Sequence, residues 1–132
     1  MSESSSIDNL REIYARLRAP DGCPWDREQT ELTTVPHIAE EAEELREALE
    51  SRNWSHAADE LGDVLGNVVM IAQIAEEHGR FTFEDVVRSV SEKLVRRHPH
   101  VFGDAIAATP EDVLALWNEV KQQERTQASA PK

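Results

Sequence analysis

Only one of the 132 residues is a cysteine, Cys23, so the chain has no intrachain disulfide framework, and a reducing compartment suits it. Glycine occurs just five times, and no alternating polar–apolar stretch is long enough to build a sheet. The longest nearly apolar run, Val64 to Ala75, contains Gly66, Asn67 and Gln73 and is too short to span a bilayer. No membrane association is expected. The opening MSESSS is polar and lacks an apolar core; no secretory signal is visible, and a cytoplasmic location is expected. Basic residues are outnumbered, 14 against 26 acidic ones, for a formal charge of −12. That balance lacks the cationic footprint of a nucleic-acid binder. An anion can be held only at a local cationic patch or through a metal ion.

Leu, Ile, Val and Phe supply 30 residues, and with this net charge the composition approaches that of a disordered chain. Only strong periodicity can specify a fold, and it is present as helical periodicity. The expected organisation is a flexible N-terminus (1–6), one helical domain (7–125) and a flexible tail (126–132). A first helix covers 7–17, followed by the turn-rich APDGCPWD at 19–26 and a short helical piece over 27–32. A second helix runs from Thr34, as N-cap with Pro36 in the first turn, to Glu50. Residues 51–53 connect it to a third helix, 54–78, which stops at Gly79. Thr82 caps a fourth helix that ends before Pro99, and a fifth spans Thr109-Pro110 to Arg125. Short connections imply antiparallel neighbours, hence an all-α bundle of four main helices plus short N-terminal pieces. The third helix is apolar around much of its circumference, which points to a central position and to burial in an oligomer.

Acidic residues are concentrated on two helices, EEAEELREALE from Glu40 and DELGD at Asp59–Asp63. A solvated acidic face is the simple alternative. Against it, Glu41 and Glu44 are three apart, as are Glu60 and Asp63, so each pair shares one helical face. If the intervening turn centres on Arg52, Glu44 and Glu60 lie at equal offsets from it, and so do Glu41 and Asp63. Equal offsets in an antiparallel pair mean equal height, so four carboxylates converge in two layers. Ile38, Ala42, Leu45 and Leu49 form the apolar face of the second helix, with Glu41 on its flank. Beyond Glu60 and Asp63 the stripe continues through Asn67, Met70, Ile71 and Ile74, which a solvent face would not do. Converging carboxylates repel one another, and a divalent cation resolves the conflict. All-oxygen ligation selects Mg²⁺, with Mn²⁺ as substitute, over Zn²⁺.

Cationic residues gather in KLVRRHPH, where Lys93 and Arg97 share a face near a helix end. Complementation of the helix dipole is the competing reading. Trp117 and Lys121 are one turn apart on the last helix, and core packing is the alternative for Trp117. His37, one turn before Glu41, is placed to reach a ligand or to serve structurally. Trp25, Asp26 and Gln29 are candidates for reading a base. Gly62 and Gly66 admit either a close backbone approach or tight helix packing.

GCPWDREQT at Gly22–Thr30, EExxE at Glu40–Glu44, ELGD at Glu60–Asp63 and KLVRRHPHVF at Lys93–Phe102 together resemble the MazG-type nucleotide pyrophosphohydrolases. The resemblance runs from about Leu10 to Arg125. It implies an all-α fold that forms a dimer or a dimer of dimers. The implied activity is Mg²⁺-dependent hydrolysis of nucleoside triphosphates to monophosphate and pyrophosphate, including house-cleaning of non-canonical nucleotides. On this resemblance Glu41, Glu44, Glu60 and Asp63 are metal ligands, and Glu40 orients water or supports the ligands. Lys93 and Arg97 contact phosphates, while Trp117 and Lys121 help bind the nucleotide. Some members carry a lysine where this chain has His37. Two other readings are a non-catalytic nucleotide- or partner-binding helical dimer and a narrow-substrate relative such as an all-α dUTPase.

Overall fold

The computed structural model describes residues 6–129, which form seven helices and, among the described residues, no strand. These are α1 (Ser6–Leu17), α2 (Pro24–Glu28), α3 (Glu31–Glu50), α4 (Trp54–Glu77), α5 (Phe83–Arg96), α6 (Pro99–Phe102) and α7 (Pro110–Ser129). The fold is all-α, as the periodicity requires. Residues 1–5 and 130–132 of the two expected flexible ends lie outside the described residues. The contacts fall into two compact units, Met1–Phe83 and Glu84–Lys132, so the domain drawn over 7–125 spans both.

The first unit is organised by the α3–α4 hairpin. Its turn is built at Arg52, whose φ of 57° places a non-glycine residue in the left-handed region. The Asn53 amide donates to the Ala48 carbonyl at 3.0 Å and the Arg52 amide to Leu49 at 3.1 Å. These two bonds close a Schellman motif. Asn53 then caps α4, its side chain accepting from the His56 amide at 3.2 Å. At the far end of α4 the same motif recurs with Gly79 at φ 68°, the Arg80 amide donating to Ala75 at 2.9 Å. Gly79 is thus the stop that the sequence marks.

Several boundaries move. The N-cap of α3 is Thr30 rather than Thr34: Thr30 and Thr33 exchange side-chain-to-amide bonds of 3.1 and 2.9 Å. That reciprocal pair satisfies two amides that Thr34 would leave open. Thr34 is buried instead, its hydroxyl donating to the Thr30 carbonyl at 2.8 Å. Pro36 therefore lies in the second turn. The short helix expected over 27–32 forms earlier as α2, with Pro24 supplying a helical φ at its start. Pro99 starts α6 in the same way, a turn the sequence reading did not contain. No Pro or Gly interrupts Thr126–Ser129, and α7 continues through them past Arg125.

The buried positions are Ala57, Glu60, Gly66, Val69, Met70, Ala72, Ile74 and Ala75 of α4, with Thr34 and Ala48 of α3. The expected apolar face of α3 holds in part: Ile38 and Leu45 are half-buried. Ala42 and Leu49 are exposed, and the buried flank runs through Thr34 and Ala48 past Glu41. The acids thus sit on the packed side of the hairpin, while α3 leaves part of its apolar stripe uncovered.

Arg18 ties the loop before α2 to α4. Its side chain is 7% exposed, and its guanidinium grips Glu77 with bonds of 2.8 and 2.9 Å. The same group donates to the main-chain carbonyls of Asp26 and Gln29. Within that loop a Cβ on Gly22 would stand 2.2 Å from the Leu17 carbonyl oxygen, so only glycine fits there. Arg18→Ala strands two carbonyls and a carboxylate at once, and Lys cannot reproduce the planar fork. We expect Arg18→Ala to cost about 2–4 kcal/mol. Urea denaturation reads this; a loss below about 0.5 kcal/mol would show the clamp to be idle.

Candidate functional site

Equal offsets from Arg52 bring acids of α3 and α4 together. Glu41, Glu60 and Asp63 each present a carboxylate oxygen within 4.8 Å of the others. Glu60 is 7% exposed, Glu41 half-buried and Asp63 exposed. Glu44 is exposed and outside this trio, yet close enough to raise the Glu60 pKa, and Glu40 is exposed. Glu43 and Glu50 point outward, where both pair with Arg46.

Glu60 carries the electrostatic conflict. A proton shared with Glu41, then burial, then Glu44 push its carboxyl up to about 8. Glu41 Oε2 and Glu60 Oε2 are buried without a hydrogen-bond partner among the described residues. Two buried carboxyl oxygens without a partner in one cluster are costly unless a proton or a cation joins them. The cluster has no sulfur ligand. His56, exposed one turn before Glu60, stands with Nε2 3.6 Å from Glu60 Oε1, beyond a good hydrogen bond. The donor set is therefore carboxylate oxygen, which fits a hard divalent cation.

One turn farther from the hairpin bend, a cavity of about 90 Å³ opens beside the acids. His37 and Asn67 line it, four residues from Glu41 and Asp63 respectively. Trp25 forms a wall, its ring centroid 5.8 Å from that of His37. Asp26 and Gln29 also reach it, so all three base-reading candidates lie here. Gln29 is already spent on structure: its amide donates to the Trp25 carbonyl and its carbonyl accepts from Thr33. The sequence reading missed Tyr14, which also lines this cavity. Burial, then Asp26 and Asp63, raise the pKa of its phenol. The two glycines separate: a Cβ on Gly66 would meet the Tyr14 hydroxyl at 2.5 Å, while Gly62 faces open space.

Lys93, Arg97, Trp117 and Lys121 lie in the second unit. Arg97 sits 5.2 Å over the Trp117 ring, and Glu124 accepts from its guanidinium at 2.8 Å. Arg97 and then Arg96 hold the Glu124 carboxyl down to about 2. His98 packs edge-on against Trp117 with centroids 5.4 Å apart. Trp117 is thus a packing centre for Arg97 and His98. Lys93 is exposed and Lys121 half-buried. Glu124 was invisible in the sequence, because nothing local marks a carboxylate 27 residues away as the partner of Arg97.

The domain model described as the MazG nucleotide pyrophosphohydrolase domain matches residues 29–102. The chain is 47% identical over 124 residues to the nucleoside triphosphate pyrophosphohydrolase of Escherichia coli K12, covering 93% of this chain and 47% of that protein. It is 48% identical over 119 residues to the nucleoside triphosphate pyrophosphohydrolase/pyrophosphatase MazG of Thermotoga maritima, covering 90% of this chain and 45% of that protein. The chain thus spans about half the length of these curated relatives. A crystal structure of a mazG-related protein from Thermotoga maritima superimposes with a TM-score of 0.72 and 27% identity, over 87% of this chain and 98% of that one.

Proposed function

The chain belongs to the MazG nucleotide pyrophosphohydrolase family, and from that premise we propose that it hydrolyses nucleoside triphosphates to monophosphate and pyrophosphate with Mg²⁺. The observation that carries the reading is the Glu41–Glu60–Asp63 cluster with its two orphaned buried oxygens. Glu41, Glu60 and Asp63 would hold the ion, with Glu44 completing the set from the same helical face as Glu41. Bound there, Mg²⁺ supplies charge neutralisation for the phosphates and acidifies an attacking water. Glu40, exposed beside the cluster, has the role of orienting that water. Lys93 and Arg97 are assigned to phosphate contact, and Trp117 and Lys121 to the nucleotide.

Two further points complete the proposal. The chain acts as a homodimer or a dimer of dimers, a second copy covering apolar side chains such as Ile13, Leu61 and Leu65 that the single chain leaves exposed. It works in the cytoplasm, and among the described residues no helix is long and apolar enough to cross a membrane. The test is a panel of ordinary and non-canonical nucleoside triphosphates with product identification. We expect monophosphate and pyrophosphate in equal amounts with Mg²⁺, and none with EDTA. Release of orthophosphate, or no turnover of any compound, would overturn the reading.

A further inference from the structure

Arg97 is held more closely than complementation of a helix end requires. Its guanidinium lies 5.2 Å over the Trp117 ring, which supports one face. Its Nη2 donates to Glu124 Oε1 at 2.8 Å and its Nε to Glu124 Oε2 at a longer 3.4 Å. These two nitrogens form the side edge of the fork, so the carboxylate takes two of its five N–H donors. Glu124 reaches across from α7, while Arg97 stands just past the end of α5. Among the described residues nothing accepts from Nη1, and that nitrogen is not buried. The end edge, Nη1 with the second N–H of Nη2, is left as a pair of parallel donors. Such an edge matches two oxygens of a phosphate.

Charge points the same way. Glu124 is shared, since Arg96 Nε donates to its Oε2 at 2.5 Å. One carboxylate between two guanidinium groups leaves the cluster cationic, so Glu124 holds Arg97 without cancelling its attraction for an anion. The Glu124 carboxyl, held down to about 2 by Arg97 and then Arg96, keeps its charge at neutral pH. An arginine without such a partner loses rotamer freedom each time an anion binds; one already fixed does not. We propose that Glu124 is a positioning residue, holding the Arg97 fork so that its end edge grips a phosphate of the substrate. The proposal rests on the pyrophosphohydrolase reading and on its assignment of Arg97 to phosphate contact. The competing role is a plain tie between α5 and α7, to which Arg96 contributes as well.

The test measures kcat and KM for ATP with Mg²⁺, beside calorimetric binding of inorganic tripolyphosphate. Glu124→Gln should raise KM and weaken tripolyphosphate binding about tenfold each, with kcat within about threefold of wild type. Arg97→Ala should do at least as much, and the double variant should be no worse than Arg97→Ala, because both changes remove one interaction. Glu124→Asp keeps the charge but falls one methylene short of the fork, so it should lie between wild type and Glu124→Gln; it replaces the glutamine variant should that lose its circular-dichroism signal. Arg96→Ala removes a tie between the helices without touching Arg97 and should change KM by less than about twofold. Unchanged KM and tripolyphosphate binding in Glu124→Gln, with Arg97→Ala impaired, overturns the proposal and leaves Arg97 its phosphate. An unimpaired Arg97→Ala, or a wild type that does not bind tripolyphosphate, removes the assignment of Arg97 and the proposal with it. Arg96→Ala as damaging as Glu124→Gln marks a plain tie and also overturns the proposal. No turnover, combined with tripolyphosphate binding that Glu124→Gln weakens but Arg96→Ala does not, removes the hydrolytic reading and upholds the role of Glu124.

Discussion

Glu60→Gln is expected to abolish Mg²⁺-dependent pyrophosphate release, lowering kcat by about 1,000-fold or more, with helicity unchanged. The substitution suits the question because of the state of Glu60 in the metal-free protein. Its carboxyl is raised to about 8 by the proton shared with Glu41, by burial and by Glu44, so at neutral pH it is largely protonated. Glutamine reproduces that neutral, buried form at nearly the same volume, and the hairpin core is left intact. What glutamine cannot do is become an anion when a cation arrives. Asp63→Asn examines the same cluster from its exposed side, where removing the charge disturbs packing least. Pyrophosphate release measured beside circular dichroism separates a lost site from a lost fold. Full activity in both variants would refute the assignment of these acids.

The second large effect is thermal. Saturating Mg²⁺ should raise the melting temperature by roughly 10 °C at 100 times Kd, and the rise should grow from pH 6 to pH 9. The sign follows from where the proton sits. Glu60 in the folded, metal-free chain keeps its proton up to about 8, while in the unfolded chain it releases it near 4.5. Between those values the folded state binds more protons, so increasing pH favours unfolding. This contribution to stability is complete below about 4.5, fades across the window and is gone above about 8. The ion must displace the same proton, so it binds better as pH rises. Glu60→Gln should remove both the pH slope that belongs to this group and most of the Mg²⁺ shift. Differential scanning fluorimetry at low ionic strength, with and without Mg²⁺, reads all four conditions. A melting temperature indifferent to Mg²⁺ would sink the metal site.

Much of the hairpin was legible because it depends on short-range physics. Gly79 ends α4 by entering the left-handed region, and short connections announce antiparallel neighbours. The meeting of Glu41, Glu60 and Asp63 follows from counting residues either side of Arg52, since rise per residue is fixed. Glu44 stays within reach of Glu60, as their equal offsets require, while Glu41 joins Glu60 and Asp63 in one cluster. The apolar face of α3 was legible only in part, with Ile38 and Leu45 half-buried and Ala42 and Leu49 exposed. Periodicity reveals a stripe, but which stripe meets the neighbour depends on the rotation of the two helices about their axes. The Thr30–Thr33 box was missed because Thr34 is an equally plausible cap until hydrogen-bond partners are known.

The sequence alone therefore determined the long helices, the turn at Arg52 and the alignment of acids across it. All of these arise from interactions within a few residues or from the fixed geometry of a helix. The tertiary structure alone decided which carboxyl is buried and protonated, that Arg18 clamps Glu77 from 59 residues away, that Tyr14 fills the Gly66 notch, and that Arg97 is matched by Glu124. Those outcomes depend on side-chain directions and on packing between elements remote in the chain, where one sequence pattern is compatible with many partners.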